Sequence, residues 1–361
     1  GPVSSFLPKV MEPIQETAAT SRVSDRAKGS QWWWLLLAPA WILFAPLWSA
    51  WGLGQYHGDQ TASWEPYFHL PAPLVLGGGL VLVTISRLAR VRWSALLALL
   101  LVAWPLGVVL CVDNHWSGPV HLKSTSTGPP LRVMHWNMWH GQGGWDDVLA
   151  TLERERPDIL ILAEYTGRNR DETLEFLSKL GDRLEGWGWK APIFRMNGSL
   201  LVASRLPIEG MERLHLHTAE GMQLNLRSDN GTPLRLLALD LPSGLRWHRD
   251  PLLRQVNQLL VTRRPDLVLG DFNAVRRASQ LQSLPEGYRH AYDAAGSGWS
   301  YTWPVPIPFL AIDHCLIGPR IQPIEYVLGT GHSDHRWQRL DFHHQSPEGR
   351  PTDGVAHLHH D

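Results

Sequence analysis

Apolar positions along this 361-residue chain fall into two regimes. Residues 32–53 carry no charged side chain and are dominated by Trp, Leu, Ala, Ile and Phe; residues 70–86 and 93–112 repeat the pattern, the last most cleanly. A helix needs roughly 20 residues to cross a ~30 Å hydrocarbon core, so the pattern predicts three transmembrane helices. Pro39 and Pro46 are tolerable kinks in the first. A cleaved leader fits poorly, because the first apolar run is too long and no Ala-x-Ala-like site follows it. Beyond residue 130 the runs shorten and turn-forming residues separate them, the signature of buried strands. Strands are expected at 131–136, 159–163, 199–204, 222–227, 234–239, 267–269, 314–317, 325–328 and 339–342. A helix is expected at 145–156, where Val148, Leu149 and Leu152 recur at helical spacing until Pro157 stops it. Another is expected at 250–263, opened by Asp250 with Pro251 at the first helical position.

Charge beside the apolar runs gives an orientation. Arg22, Arg26 and Lys28 precede the first run, and Arg87, Arg90 and Arg92 separate the second from the third. The link between the first and second holds Asp59 and Glu65 but no Lys or Arg. Positive loops stay in the cytoplasm, which places the amino terminus inside and everything after residue 112 outside. The expected organisation is a disordered cytoplasmic tail (1–30), a three-span anchor (31–112), a Ser/Gly/Pro-rich linker (113–130), a catalytic domain (131–343) and a flexible His-rich tail (344–361). Several of the 19 tryptophans, Trp32, Trp34, Trp48, Trp93 and Trp116 among them, flank the spans as interfacial belts do. The formal net charge of −1 supplies no global basic field for nucleic acid. The two cysteines, Cys111 in a span and Cys315 in an apolar strand, are not expected to pair.

In the second regime, polar clusters terminate the short apolar runs. These are Asn137, Glu164, Gly270-Asp271-Phe272-Asn273 and Ile312-Asp313-His314, with Ser333-Asp334-His335 completing the set. Polar side chains at the ends of several buried strands converge on one rim. A rim of carboxylates with Asn and His suits metal-assisted phosphoryl chemistry.

In this order the clusters closely resemble the endonuclease/exonuclease/phosphatase superfamily. The resemblance spans residues 131–342, with Ser204-Arg205-Leu206-Pro207-Ile208, Arg254-Gln255 and Thr302-Trp303-Pro304 as further family-like pieces. Three spans ahead of such a domain resemble the superfamily's membrane-anchored branch. The resemblance implies an α/β four-layer sandwich, two mixed β-sheets flanked by helices (the deoxyribonuclease-I-like fold), preceded here by three transmembrane helices. It implies Mg²⁺, or alternatively Mn²⁺, bound by Glu164, Asn137 and Asp334. Asp271 would orient or deprotonate the attacking water, and Asn273 would donate to a phosphoryl oxygen. Asn137 would position metal and phosphate, and His335 would hydrogen-bond the phosphoryl group with Asp313 fixing its orientation.

Three positions depart from the family pattern. Asp240 ends the 236–239 run where the family usually carries a phosphate-contacting His, with His248 or Arg246 as candidate substitutes. Trp139 stands where some nuclease branches carry an acidic ligand, and Ala311 replaces an Arg common before Ile-Asp-His. The expected protein is a membrane-anchored, extracytoplasmic, Mg²⁺-dependent hydrolase of phosphate esters, a phosphomonoesterase or phosphodiesterase, with lipid-linked esters among its candidate substrates. An extracytoplasmic nuclease is the first alternative. It needs a basic groove with stacking platforms, and Arg246-Trp247-His248-Arg249 is the one candidate. A non-catalytic binding module with a decayed site is the second, motivated by Asp240 and opposed by the retained Asp271 and Asp313/His335 pair.

Overall fold

A computed structural model describes residues 17–116, 129–190, 194–216, 219–244 and 246–345. They belong to two compact units, one containing the chain to Ser49 and Val75–Trp104, the other Ala50–Leu74 and the chain from Pro105. The first unit is helical, drawn from helices Thr17–His57, Ala72–Leu88 and Arg92–Gly107. Phe44, Leu82, Ala98 and Val102 are buried within it, while Ile42, Leu43, Leu96 and Leu100 face outward. Apolar side chains on both faces suit either a buried core helix or a membrane span. Polar groups inside find partners: Trp41 Nε1 donates to Ser94 Oγ at 2.8 Å, and the Ser86 and Ser94 hydroxyls meet at 2.8 Å.

Two stretches, Trp32–His57 and Arg92–Asp113, are long and apolar enough to cross a membrane. Ala72–Leu88 has 17 residues and rises only about 26 Å, short of a full hydrocarbon core. The three expected spans are therefore two helices of full spanning length and one shorter apolar helix. The segment 17–30, read from sequence as a disordered tail, is helical; residues 1–16 and the tail from 346 lie outside the described residues.

The second unit carries twelve strands. In chain order these are β1 (Leu131–Asn137), β2 (Ile159–Ala163), β3 (Phe194–Asn197), β4 (Leu200–Ser204), β5 (Ile208–Leu216), β6 (Ala219–Arg227), β7 (Pro233–Asp240), β8 (Leu267–Asp271), β9 (Arg289–His290), β10 (Asp313–Ile317), β11 (Ile321–Gly329) and β12 (Trp337–His344). They form two six-stranded sheets, ordered β11-β12-β1-β2-β4-β3 and β5-β6-β7-β8-β10-β9. Both are mixed: β1–β2 and β7–β8 are parallel, and the other pairs antiparallel.

Strand alternation sorts the core into layers. Val133, Ile161, Leu224, Leu236 and Leu269 meet between the sheets. The alternate positions of β1 and β2, including Trp136 and Leu160, pack outward with Val148 and Leu152 of helix Trp145–Glu155 and with Leu180 of helix Arg170–Gly186. Leu239 and Val268 pack outward with Leu253 and Val256 of helix Arg249–Arg263. Helices outside two face-to-face sheets are the architecture expected.

The expected domain boundaries shift. The stretch 113–116, read as part of a linker, is bonded into the catalytic body: Asp113 accepts from Arg277 at 3.0 Å and Tyr301 Oη at 2.6 Å, and Asn114 Oδ1 from Ser300 N at 2.6 Å. Residues 117–128 lie outside the described residues. The stretch 59–68 belongs to the same body, with Asp59 accepting from Ser279 N and Phe68 buried beside Val268 and Leu316.

Candidate active site

The face between the sheets turns polar at one rim. Asn137 continues the inward alternation of Leu131 and Val133, and Asp271 that of Leu267 and Leu269. Asp240 and Asp313 do the same on β7 and β10. The register then aligns the acids: Glu220 lies opposite Asp240, Asp240 opposite Asp271, and Asp271 opposite Asp313. Four adjacent strands thus present a row of four carboxylates on one face. Directly opposed like charges destabilise a sheet, so the row calls for positive charge at the rim.

His335 supplies part of it. Its Nδ1 lies 2.9 Å from Asp313 Oδ2, and its Nε2 lies 3.8 Å from Asp271 Oδ2. Ser333 fixes the approach by donating to the Asn137 carbonyl at 2.7 Å while its oxygen accepts from His335 N at 3.1 Å. Burial works against the imidazolium, but the charge and hydrogen bond of Asp313 outweigh it and raise its pKa to about 10. Burial likewise opposes ionisation of Asp313, yet His335 holds its carboxyl below the usual range. Asp271 goes the other way: burial first, then the neighbouring Asp313 charge, push it well above the ordinary carboxylate value.

Asp271 sits in a fixed cradle. Asn137 Nδ2 donates to its Oδ2 at 3.1 Å, and Asn273 N to its Oδ1 at 2.9 Å. Asn273 adopts a left-handed φ of +49° and gives one amide hydrogen to the Leu241 carbonyl at 2.8 Å, which leaves the other free for a ligand. Gly270 is required beside it, because a Cβ there would overlap the Leu239 carbonyl.

Glu164 caps β2 at a φ of +51°, half-buried at the rim. His140 lies beside it, with Nε2 3.4 Å from Oε2. Asp334 is half-buried beside His335 and accepts from Trp303 Nε1 at 2.9 Å. The structure therefore brings Asn137, Asp271, Asn273, Asp313 and His335 into one hydrogen-bonded cluster. Glu164 and Asp334 stand at its edge without a direct bond to it among the described residues, beyond Asp334's covalent neighbour His335.

Sequence reasoning missed His135 and Glu220. Asp240 is no stand-in for a phosphate-binding His: it accepts from Ser199 Oγ, and burial, with the Glu164 and Glu220 charges adding, raises its pKa to about 6. His248 and Arg246 do not take the missing His's place, since His248 Nε2 lies 3.7 Å from Glu65 and Arg246 lies over the Trp247 ring. His135, fully buried, brings Nδ1 within 3.8 Å of Asp313 Oδ1, an oxygen with no hydrogen-bond partner. Arg249, from the run considered as a nucleic-acid platform, is buried. Only Glu220 of the carboxylate row lacked any sequence signal, because register is a tertiary property.

The donor set fits a divalent cation. Hard carboxylate oxygens crowd one rim, burial and neighbouring carboxylates raise the pKa values of Asp240 and Asp271, and Glu164 has no Lys or Arg paired to it among the described residues. Ligand-type atoms of Asp271, Asp313 and His335 lie within 4.8 Å of one another. A protonated His335 has no lone pair to offer a metal, so the oxygens are the better ligands.

Comparison with known proteins agrees with this architecture. The model of the Endonuclease/Exonuclease/phosphatase family matches residues 134–335. Among solved structures, a humanized D. rerio TDP2 is 19% identical, covering 59% of this chain and 99% of that one at a TM-score of 0.48. A mannosyl-6-phosphatase of Bacteroides thetaiotaomicron is 14% identical, covering 59% and 99% at a TM-score of 0.46. A 3' phosphatase of Neisseria bound to a product DNA hairpin is 15% identical, covering 59% and 99% at a TM-score of 0.43. No curated protein matches. With the matched segment running from within β1 to His335 and enclosing the cluster built above, the chain belongs to the endonuclease/exonuclease/phosphatase family and is a phosphoric ester hydrolase.

Proposed function

We propose that this protein is a membrane-anchored, extracytoplasmic, Mg²⁺-dependent phosphomonoesterase or phosphodiesterase. The observation that carries the chemistry is His335 held between Asp313 and Asp271, with Asn137 and Asn273 bonded to the same Asp271 carboxylate. Asp271 accepts the proton of the attacking water. The His335 imidazolium presents Nε2 to the phosphoryl oxygens, and Asp313 keeps that ring charged and aimed. The remaining amide hydrogens of Asn273 and Asn137 add neutral donors for the same oxygens. Glu164, Asn137 and Asp334 would hold the cation, whose charge offsets that on the phosphoryl group when bound.

The exposed apolar helices and the Arg87, Arg90 and Arg92 cluster support anchoring with the catalytic body outside. Tethering to a bilayer favours lipid-linked phosphate esters over soluble ones as substrates. A nuclease needs a basic, aromatic groove, and burial of Arg249 removes the candidate for it. The test is purified full-length protein assayed against phosphomonoesters, phosphodiesters, lipid pyrophosphates and DNA, with Mg²⁺ and with chelator. Chelator-sensitive turnover of an ester, lost by orders of magnitude in Glu164→Gln, is expected. Turnover indifferent to Mg²⁺, or DNA as the preferred substrate, would overturn the proposal.

A further inference from the structure

We infer that Arg249 is a positioning residue for the Asp271–Asn273 loop, and that Glu65, in the segment between the first two apolar helices, holds it in place. The inference rests on the phosphoesterase reading above and extends the working site to a segment far upstream of the family-matched region.

The Arg249 guanidinium clips two loops together. Its Nε donates to the Asn273 carbonyl, its Nη2 to Gly244 O at 3.1 Å and its Nη1 to Trp247 O at 3.3 Å. Gly244 and Trp247 belong to the connection leaving β7, and Asn273 to the connection leaving β8. Between them, Leu241 N donates to Asp271 O at 2.8 Å and Leu241 O accepts the Asn273 amide at 2.8 Å. The planar fork of an arginine holds several carbonyls in one fixed geometry, whereas a lysine ammonium is a compact charge on a flexible stem. Asn273 needs such a clamp because it sits at a left-handed φ of +49°, a conformation that persists only where its surroundings fix it.

A buried guanidinium needs a counter-charge. Among the described residues, the carboxylate within ion-pair distance of Arg249 is Glu65, 3.8 Å from Nη1, and the same carboxylate accepts Arg249 N at 2.7 Å. The Glu65 side chain is only 3% exposed. Its segment is moored independently: Asp59 accepts from Ser279 N at 3.1 Å, Arg277 Nη2 donates to Phe68 O at 3.3 Å, and Phe68 packs into the core under helix Arg249–Arg263. Glu65, Arg249 and Asn273 thus form an unbroken chain of contacts from that segment to the carboxylate proposed as the base.

The test uses the full chain and an ester that the wild type hydrolyses, with kcat, KM and the unfolding midpoint measured together. Arg249→Lys keeps the charge and loses the fork; Glu65→Gln keeps the acceptor and loses the charge; Glu65→Ala loses both. Misplacing a catalytic group by about 1 Å costs on the order of 100-fold. Arg249→Lys and Glu65→Ala should therefore lose about 10- to 100-fold in kcat with KM changed less than about 3-fold, and Glu65→Gln, which keeps the acceptor but not the counter-charge, should recover only part of the loss. Because the clamp positions the loop that carries Asp271, Arg249→Lys with Asp271→Asn should be little slower than Asp271→Asn alone. Wild-type kcat in Arg249→Lys and Glu65→Ala, or losses that multiply in the double variant, would overturn the inference while leaving the phosphoesterase reading standing. A wild type that hydrolyses no ester would overturn both.

Discussion

His335 and Asp313 act as one unit only if the carboxylate holds the ring by its Nδ1, at 2.9 Å, and keeps it charged. Removing either member should then cost nearly as much as removing both, so kcat of Asp313→Ala/His335→Ala should be close to that of the worse single variant. Independent, multiplying losses would defeat the pairing. The charge can be probed separately. Asp313 keeps the imidazolium protonated up to about pH 10; in Asp313→Asn that support is gone and burial favours the neutral ring. The loss of turnover should accordingly be larger at pH 8 than at pH 5.5. Asp240 offers a stability test with a definite sign. Burial, with the Glu164 and Glu220 charges, lifts its pKa from 3.8 to about 6, so the folded protein binds that proton more tightly than the unfolded chain. Stability should fall as pH rises from about 4 to 6 and stay reduced above, by about 3 kcal/mol. In chelator, Asp240→Asn should raise the unfolding midpoint at pH 8 and leave it unchanged near pH 4. A higher midpoint at both values would mean that the gain is not electrostatic.

At the scale of elements, strands built on compact apolar runs were legible, and the edge strands β3, β5 and β9 were not. β1, β2, β7 and β8 carry runs of Val, Leu and Ile that have to be buried, so their positions follow from pattern alone. β5 lies at a sheet edge with exposed Glu209, Glu212 and Arg213, and it presents no such run. Helix Arg170–Gly186 was missed although Asn169 caps it by accepting from Glu172 N, and Phe176, Leu180 and Leu184 recur at helical spacing. Its charged outer face diluted the pattern. The catalytic cluster was legible because its members end strands; the Glu220–Asp240–Asp271–Asp313 row was not, because four strands distant in sequence create it. Within the Gly-Asp-Phe-Asn motif, Gly270 is there for space. Gly270→Ala should destabilise by about 2 kcal/mol or more, since the clash is with backbone. Gly186→Ala, with open space around the added Cβ, should be neutral or gain up to about 1 kcal/mol. Equal midpoints in the two variants would remove the steric argument.

For the whole molecule, if the proposed anchoring holds, the side of the membrane that carries the catalytic body depends on one short helix. Trp32–His57 and Arg92–Asp113 each have the length to span. If they alone cross, the catalytic body returns to the side of the amino terminus; if Ala72–Leu88 also crosses, it lies opposite. Seventeen residues rise about 26 Å, a mismatch of a few ångströms that a bilayer absorbs by local thinning at modest cost. The flanking charges decide between the two arrangements. Arg87 and Arg90 follow this helix directly, and the link before it carries Asp59 and Glu65 without Lys or Arg. Placing the three arginines outside and that acidic link inside would reverse the positive-inside bias, whereas three crossings satisfy it at both ends. Alkaline phosphatase fused after Gln345 should therefore be active in cells, and a reporter that works only in the cytoplasm should be silent at the same position. Changing Arg87, Arg90 and Arg92 together to neutral residues should weaken that bias and give a mixed topology. A cytoplasmic reporter active at Gln345 in the unaltered chain would mean that only two helices cross and that the esters hydrolysed are cytoplasmic ones.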